Sequence, residues 1–188
     1  MADDQGFRFP IDYGICSSGV TGKVFHGIIL RAYPRRQRDF DLLLLGPKKE
    51  TIARARVPNP NRGPFAEWTP EPQPIMRTNG PIVVTLESLR EEISSADVRR
   101  IRPEWRVESS DPDWQMAVPV GLHFEDATGN EGRFLSPKER AWKLRVSFVP
   151  PSEDNRAALE SKGKRALEFE FIIDPAEIEQ DLRGRRGD

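Results

Sequence analysis

The chain has 188 residues, 37% of them hydrophobic and 31% charged, with 29 Lys and Arg set against 30 Asp and Glu. That balance describes a globular chain long enough to bury a core, and it lacks the basic footprint of a general nucleic-acid binder. One cysteine, Cys16, excludes an internal disulfide and a cysteine-rich zinc site, and it points to a reducing compartment.

The opening run MADDQGFRFPIDYG places acids where a secretory leader needs a basic start and an apolar core. The aliphatic run at 42–45 is far shorter than a bilayer span. A cytoplasmic protein with no membrane span is therefore the expectation.

In chain order, the first motif is SSGVTGKV at 17–24, which has the outline of a phosphate-binding loop. Ser17 stands where that motif needs its first glycine, and Val24 where it needs a hydroxyl, so the segment reads as a loop. The next segment, VFHGIILRAY at 24–33, alternates as a strand that is apolar on both faces near its centre. PRRQR at 34–38, with Arg31 just before it, is the densest internal basic cluster. It could grip a phosphate, a nucleic-acid backbone or an acidic partner surface, but the balanced net charge favours a charged loop.

FDLLLL (40–45) and TIARARV (51–57) flank GPKKE, a connection of hairpin length. The proline-rich stretch 57–74 cannot be a central strand or a helix interior. It reads as an irregular wrap pinned by Phe65 and Trp68. The Asn79-Gly80 turn then leads into a strand over 81–89. The highly charged 90–106 segment reads as a loop with a helical turn.

Beyond it, Val118, Val120, Leu122 and Phe124 share one face of a strand, directing His123 and Glu125 outward. DATGNEG at 126–132 spaces oxygen-bearing Asp126, Thr128 and Asn130 as a calcium loop begins, but Glu131 and Pro137 stand where an EF-hand needs glycine and a bidentate glutamate. It reads as a strand connection in which Gly129 and Asn130 supply positive φ. Two firm strands follow. One has Trp142, Leu144, Val146 and Phe148 inward; the other has Leu167, Phe169, Phe171 and Ile173 inward. Asp174 as N-cap, Pro175 at the first helical position, Ile178 and Leu182 four apart and Gly184 as stop then predict a short C-terminal helix, with 184–188 as a frayed tail.

These segments amount to about seven or eight strands, the number a two-sheet antiparallel sandwich of Ig-like, Greek-key or jelly-roll type needs. With no repeat and no change of composition, residues 1–188 read as a single mainly β domain.

No catalytic, cofactor or metal site is assembled by the order of residues. His26 and His123 have no partner at metal-ligand spacing. GICSSG is not a nucleophile elbow, and a lone Cys16 among apolar residues reads as inert. Glu168 and Glu170 lie on the solvated face of their strand. Trp142 reads as core, while Trp68, Trp105 and Trp114 read as staples over the ends of the sandwich rather than as sugar platforms.

Three stretches carry a resemblance: YPRRQRDFDLLLL, the run VPNPNRGPFAEWTPEPQP followed by TNGPIVVTLESL, and DATGNEGRFLSPKERAWKLRVSF. They resemble segments of β-rich proteins of planctomycete-type bacteria, a group with no assigned activity. The resemblance covers most recognisable parts of 32–148 and implies family membership without catalytic residues to carry over. The functional expectation is a non-enzymatic binding module that meets a protein partner through its loops. Two alternatives accompany it: an accessory domain or cryptic hydrolase with a site of dispersed Asp, Glu and His, and a carbohydrate-binding module needing two exposed, coplanar tryptophans.

Overall fold

The computed structural model describes residues 15–20, 23–28, 32–60, 63–93, 99–132, 135–136, 138–151 and 166–180. Among the described residues the chain is mainly β, with eleven strands and no helix longer than a single 3-10 turn. It divides into two compact units, Met1–Ala66 with Thr128–Ser136, and Glu67–Ala127 with Pro137–Asp188.

The first unit holds two antiparallel hairpins. β1 (Ile15–Val20) pairs with β2 (Lys23–Ile28), bringing Ser17 opposite His26 and Val20 opposite Lys23. The segment read as a loop at 17–24 is therefore largely strand, because Ser17, Ser18 and Gly19 each face a partner across the ladder. Their small side chains carry no alternation to announce it. β3 (Asp39–Leu45) pairs with β4 (Thr51–Pro58), as the pattern predicts.

Opposed residues share a sheet face. Phe40 with Val57, Leu42 with Ala55 and Leu44 with Ala53 thus make one wholly apolar face of this hairpin. The other face carries Asp39, Asp41 and Leu43 with Arg54 and Arg56, the charges joined as Arg54–Asp41 and Arg56–Asp39 ion pairs. The turn closes through Gly46 N–H to Glu50 O at 2.8 Å and Lys49 N–H to Gly46 O at 2.9 Å, with Lys49 at φ 62° in the left-handed region.

The second unit contains two antiparallel meanders. β5 (Ile75–Asn79), β6 (Ile82–Ile93) and β7 (Arg99–Ser109) form one; β8 (Val118–Asp126), β9 (Trp142–Val149) and β10 (Leu167–Ile173) form the other. β11 (Glu179–Gln180) adds a parallel pair to β6 at Arg90 and Glu91. β7 runs along the whole of β6 on one edge, so β5 and β11 share the other edge end to end.

The meanders stack through apolar faces. The Trp105 ring lies 5.6 Å edge-on from Phe148 and 5.4 Å from Phe171, and Ile82, Leu86, Leu89, Leu144 and Ile173 are fully buried between the sheets. Side-chain bonds to backbone lace the same seam: Arg77 Nε donates to Glu170 O, and Asn79 Nδ2 to Glu168 O. Sequential connections within each meander replace the expected Greek-key or jelly-roll crossing.

Three further expectations give way. The charged 90–106 segment is mostly strand rather than loop, since β6 reaches Ile93 and β7 starts at Arg99. Its charges sit on the solvated face, where Arg90–Glu104, Arg102–Glu92 and Arg106–Glu87 pair across the strands. In β8 the register slips between Val120 and His123, at Gly121 with φ 65°. A bulge of this kind inverts the alternation. Val118 and Val120 therefore do not share the face of Phe124, and Leu122 is 42% exposed.

At the C-terminus, Asp174 accepts from Ala176 N–H as the cap rule predicts. Instead of the expected helix, only a 3-10 turn at Pro175–Glu177 forms before β11 begins. Leu182 and Gly184, invoked for that helix, lie outside the described residues. Among its described residues the wrap at 57–74 forms no helix, and its one piece of strand is the end of β4, where Pro58 occupies a strand with an open edge, as proline requires.

Candidate binding surface

The basic cluster at 34–38 belongs to the first unit, and its backbone is held by two asparagines. Gln37 N–H closes a turn on Pro34 O at 3.2 Å. From the end of β4, Asn59 reaches back into that turn. Its Nδ2 donates to Arg35 O and Gln37 O, both at 2.7 Å, and lies 3.4 Å from Pro34 O. An amide nitrogen has two protons, so the two short bonds carry the clamp and the third shares a proton. The Asn59 backbone N–H adds a bond to Arg38 O at 2.8 Å, and the residue is 5% exposed.

The second clamp comes from the connection after β8. Asn130 Oδ1 accepts from Tyr33 N–H at 3.2 Å, and its Nδ2 donates to Tyr33 O at 3.3 Å and to Thr128 Oγ1 at 3.1 Å. The amide thus imitates a strand partner for Tyr33. Arg35 donates to Thr128 O at 3.1 Å, and its guanidinium lies 5.0 Å from the centre of the Tyr33 ring. A glycine is required beside it: Gly129 has φ 87°, and a Cβ there would stand 3.0 Å from Arg35 Nη1.

With the backbone fixed, Arg36 and Arg38 are exposed. Arg36 lies over the Phe65 ring at 5.3 Å, a cation–π contact that orients its charge. Arg38 forms no ion pair among the described residues. Unlike Arg38, the hairpin arginines Arg54 and Arg56 are paired with Asp41 and Asp39. Hydrogen bonding from Arg54 holds the Asp41 carboxyl below the ordinary aspartate range, and the same bond raises Arg54.

The remaining candidate residues do not converge. Thr128 and Asn130 direct polar atoms to residues 33–35, and Asp126 is fully buried at the end of β8. Asn130 does not take the positive φ expected of it; only Gly129 does. Among the described residues no group of three His, Cys, Asp or Glu side chains could hold a metal ion. His123 stands opposite Arg145 on the outer face of β8. Cys16 and His26 lie in β1 and β2, where only the backbone is described.

Glu125 and Glu170 belong to an ion-pair ladder with Arg145 and Lys143, with the Lys143 ammonium 4.5 Å from the centre of the Trp68 ring. Trp114 and Trp142 are buried, and Trp68 and Trp105 are half-buried, so no two tryptophans form an exposed platform. No helix among the described residues is long and apolar enough to cross a membrane.

The asparagine clamps escape a reading of the sequence alone. Asn59 lies between Pro58 and Pro60, and the following proline biases it to extended backbone. That is the local trace it leaves; its partners lie 22 to 25 residues away. Comparison with protein-family models, with curated proteins and with solved structures finds no match.

Proposed function

We propose that the chain is a non-enzymatic binding module of β-sandwich type that meets an acidic protein surface through the loop at 34–38. The observation that carries this reading is the locked backbone beneath exposed arginines. Asn59 fixes the turn and Asn130 the Tyr33 backbone leading into it, while Arg36 and Arg38 stay on the surface. A loop already ordered before contact avoids the entropic cost of ordering it on binding. Arginine suits the task, being enriched at interfaces and able to bind carboxylates through two parallel bonds. The β-rich scaffold supplies what loop-mediated recognition needs, a rigid base for a shaped connection. The proposed setting is the cytoplasm.

Poly-glutamate is a suitable probe, since it presents carboxylates on a polypeptide. The wild-type chain should bind it, and binding should weaken steeply with salt. Arg36→Glu with Arg38→Glu should abolish that binding while leaving the melting temperature unchanged. Undiminished binding by this double variant, or preference for duplex DNA over poly-glutamate, would overturn the proposal.

A further inference from the structure

Exposure rises along the β3–β4 hairpin. Phe40 and Asp41 at its base are 3% and 6% exposed, whereas Leu44 reaches 61%, Leu45 42% and Ile52 on the returning strand 62%. Single exposed aliphatic side chains are ordinary on a protein surface. Here Leu44 extends a sheet face on which Ala53 and Ala55 are also exposed, with Ile52 beside it at the register break, while Leu45 is the next residue along β3. The hairpin is amphipathic across its thickness, with Leu42, Leu44, Ala53 and Ala55 on one side and the Arg54–Asp41 and Arg56–Asp39 pairs on the other.

The turn adds charge. Lys48 and Lys49 are exposed there, with Glu50 offsetting one of them. Lys49 is the sole non-glycine residue with positive φ among the described residues. A three-residue hairpin loop commonly puts glycine at this left-handed position, because a Cβ is disfavoured there. A lysine in that conformation is local backbone strain of the kind found at functional positions.

We propose that this hairpin docks on an anionic membrane surface, lying in the interface on its apolar face rather than entering tip-first. The lysines decide the orientation. At the very end of the hairpin they would be driven deepest by a tip-first entry, whereas a flat-lying hairpin lets their long stems follow the surface and their ammonium groups reach the headgroups. Leu44, Ala53 and Ala55 then meet the acyl boundary. Ile52 flanks them at the register break beside Leu44 and Leu45, and the ion-paired face stays in water. The anionic preference comes from Lys48 and Lys49; with Glu50 offsetting one of them it is on the order of fivefold in affinity near a charged leaflet. Such binding is reversible and separate from the arginine loop.

Sedimentation with phosphatidylserine–phosphatidylcholine vesicles, against pure phosphatidylcholine vesicles, tests this. The wild-type chain should sediment with the former and much less with the latter. Leu44→Asp with Ile52→Asp should remain in the supernatant with both. Lys48→Glu with Lys49→Glu should lose the preference for phosphatidylserine. Lys49→Gly should melt at a higher temperature yet bind phosphatidylserine vesicles more weakly, separating the charge from the strain. Arg36→Glu with Arg38→Glu should sediment as the wild type does.

The proposal is overturned if the wild-type chain ignores both vesicles, or if the Leu44 and Ile52 double variant sediments undiminished. Loss of sedimentation in the arginine-loop variant would equally overturn it. So would a wild-type chain that ignores vesicles but self-associates until Leu44→Asp disperses it, which would make this face a contact between copies.

Discussion

In the second unit the deepest side chains are mostly apolar: Ile82, Val84, Leu86, Leu89, Leu144, Val146, Phe148, Phe171 and Ile173 are all fully buried. Among the described residues of the first unit, the side chain buried to that depth is an amide, Asn130. Apolar burial has no direction, so the stacked meanders are fixed by volume and by which face each strand turns inward. Hydrogen bonds have direction, so the arginine loop is fixed by a few atoms in a set geometry. A loop held by directed bonds can be rigid without an apolar filling of its own. Its outward positions are then left to carry charge.

The largest effect expected of a single change is in the apolar stack. Trp142 is 7% exposed and sits in β9 opposite Ile173 and Asp126. Trp142→Ala should destabilise the protein by about 3–5 kcal/mol, through lost burial and the cavity left behind. Denaturant titration gives the total, and amide exchange shows where it falls: β8, β9 and β10 should lose protection while β3 and β4 keep theirs. Equal loss in both units would make 1–188 one cooperative domain and remove the contrast. An unchanged melting temperature would contradict the register of β9.

Second in size is the clamp. Asn59→Ala leaves the carbonyls of Arg35 and Gln37 without their donor and should cost about 2–3 kcal/mol. The sharper experiment is Asn59→Asp, which keeps the shape but aims lone pairs at lone pairs. At a position that merely fills space the two variants would differ little. At a donor clamp Asp must be worse than Ala, and thermal melts of the two variants decide between these cases.

How legible each region was follows from the same distinction. β9 and β10 were readable because every second residue is large and apolar while Lys143, Arg145, Glu168 and Glu170 fill the gaps. β7 obeys the same period, with Ile101, Pro103, Trp105 and Val107 against Arg102, Glu104, Arg106 and Glu108. Its proline and its density of charge disguise it until β6 is placed beside it. The alternation of β8 is plain in the sequence but its facing is not, since one bulge at Gly121 and Leu122 reverses everything before it. The arginine cluster was visible as a basic run. What makes it a shaped loop was not, because an asparagine clamp has no period and its partner carbonyls look alike at every position.

The smallest expected effect concerns the ion-paired face of β3–β4, and it tests whether directed bonds matter there too. Arg54 donates to Asp41 and holds that carboxyl below its ordinary value of 3.8. A carboxyl depressed in the folded state binds its proton less readily than in the unfolded chain. The pair's contribution is therefore complete above about pH 4 and is lost as pH falls through the lower folded value. Arg54 is 65% exposed, so solvent screening keeps that contribution modest. Melting temperature should thus be insensitive to this pair between neutrality and pH 4, then fall more steeply in the wild type than in Asp41→Asn, whose side chain does not titrate. Parallel acid profiles for the two proteins would show that the Arg54 bond adds nothing the hairpin needs. In that case the described part of the first unit would owe its order chiefly to the asparagine clamps, Phe40 and the Tyr33–Phe40 ring contact.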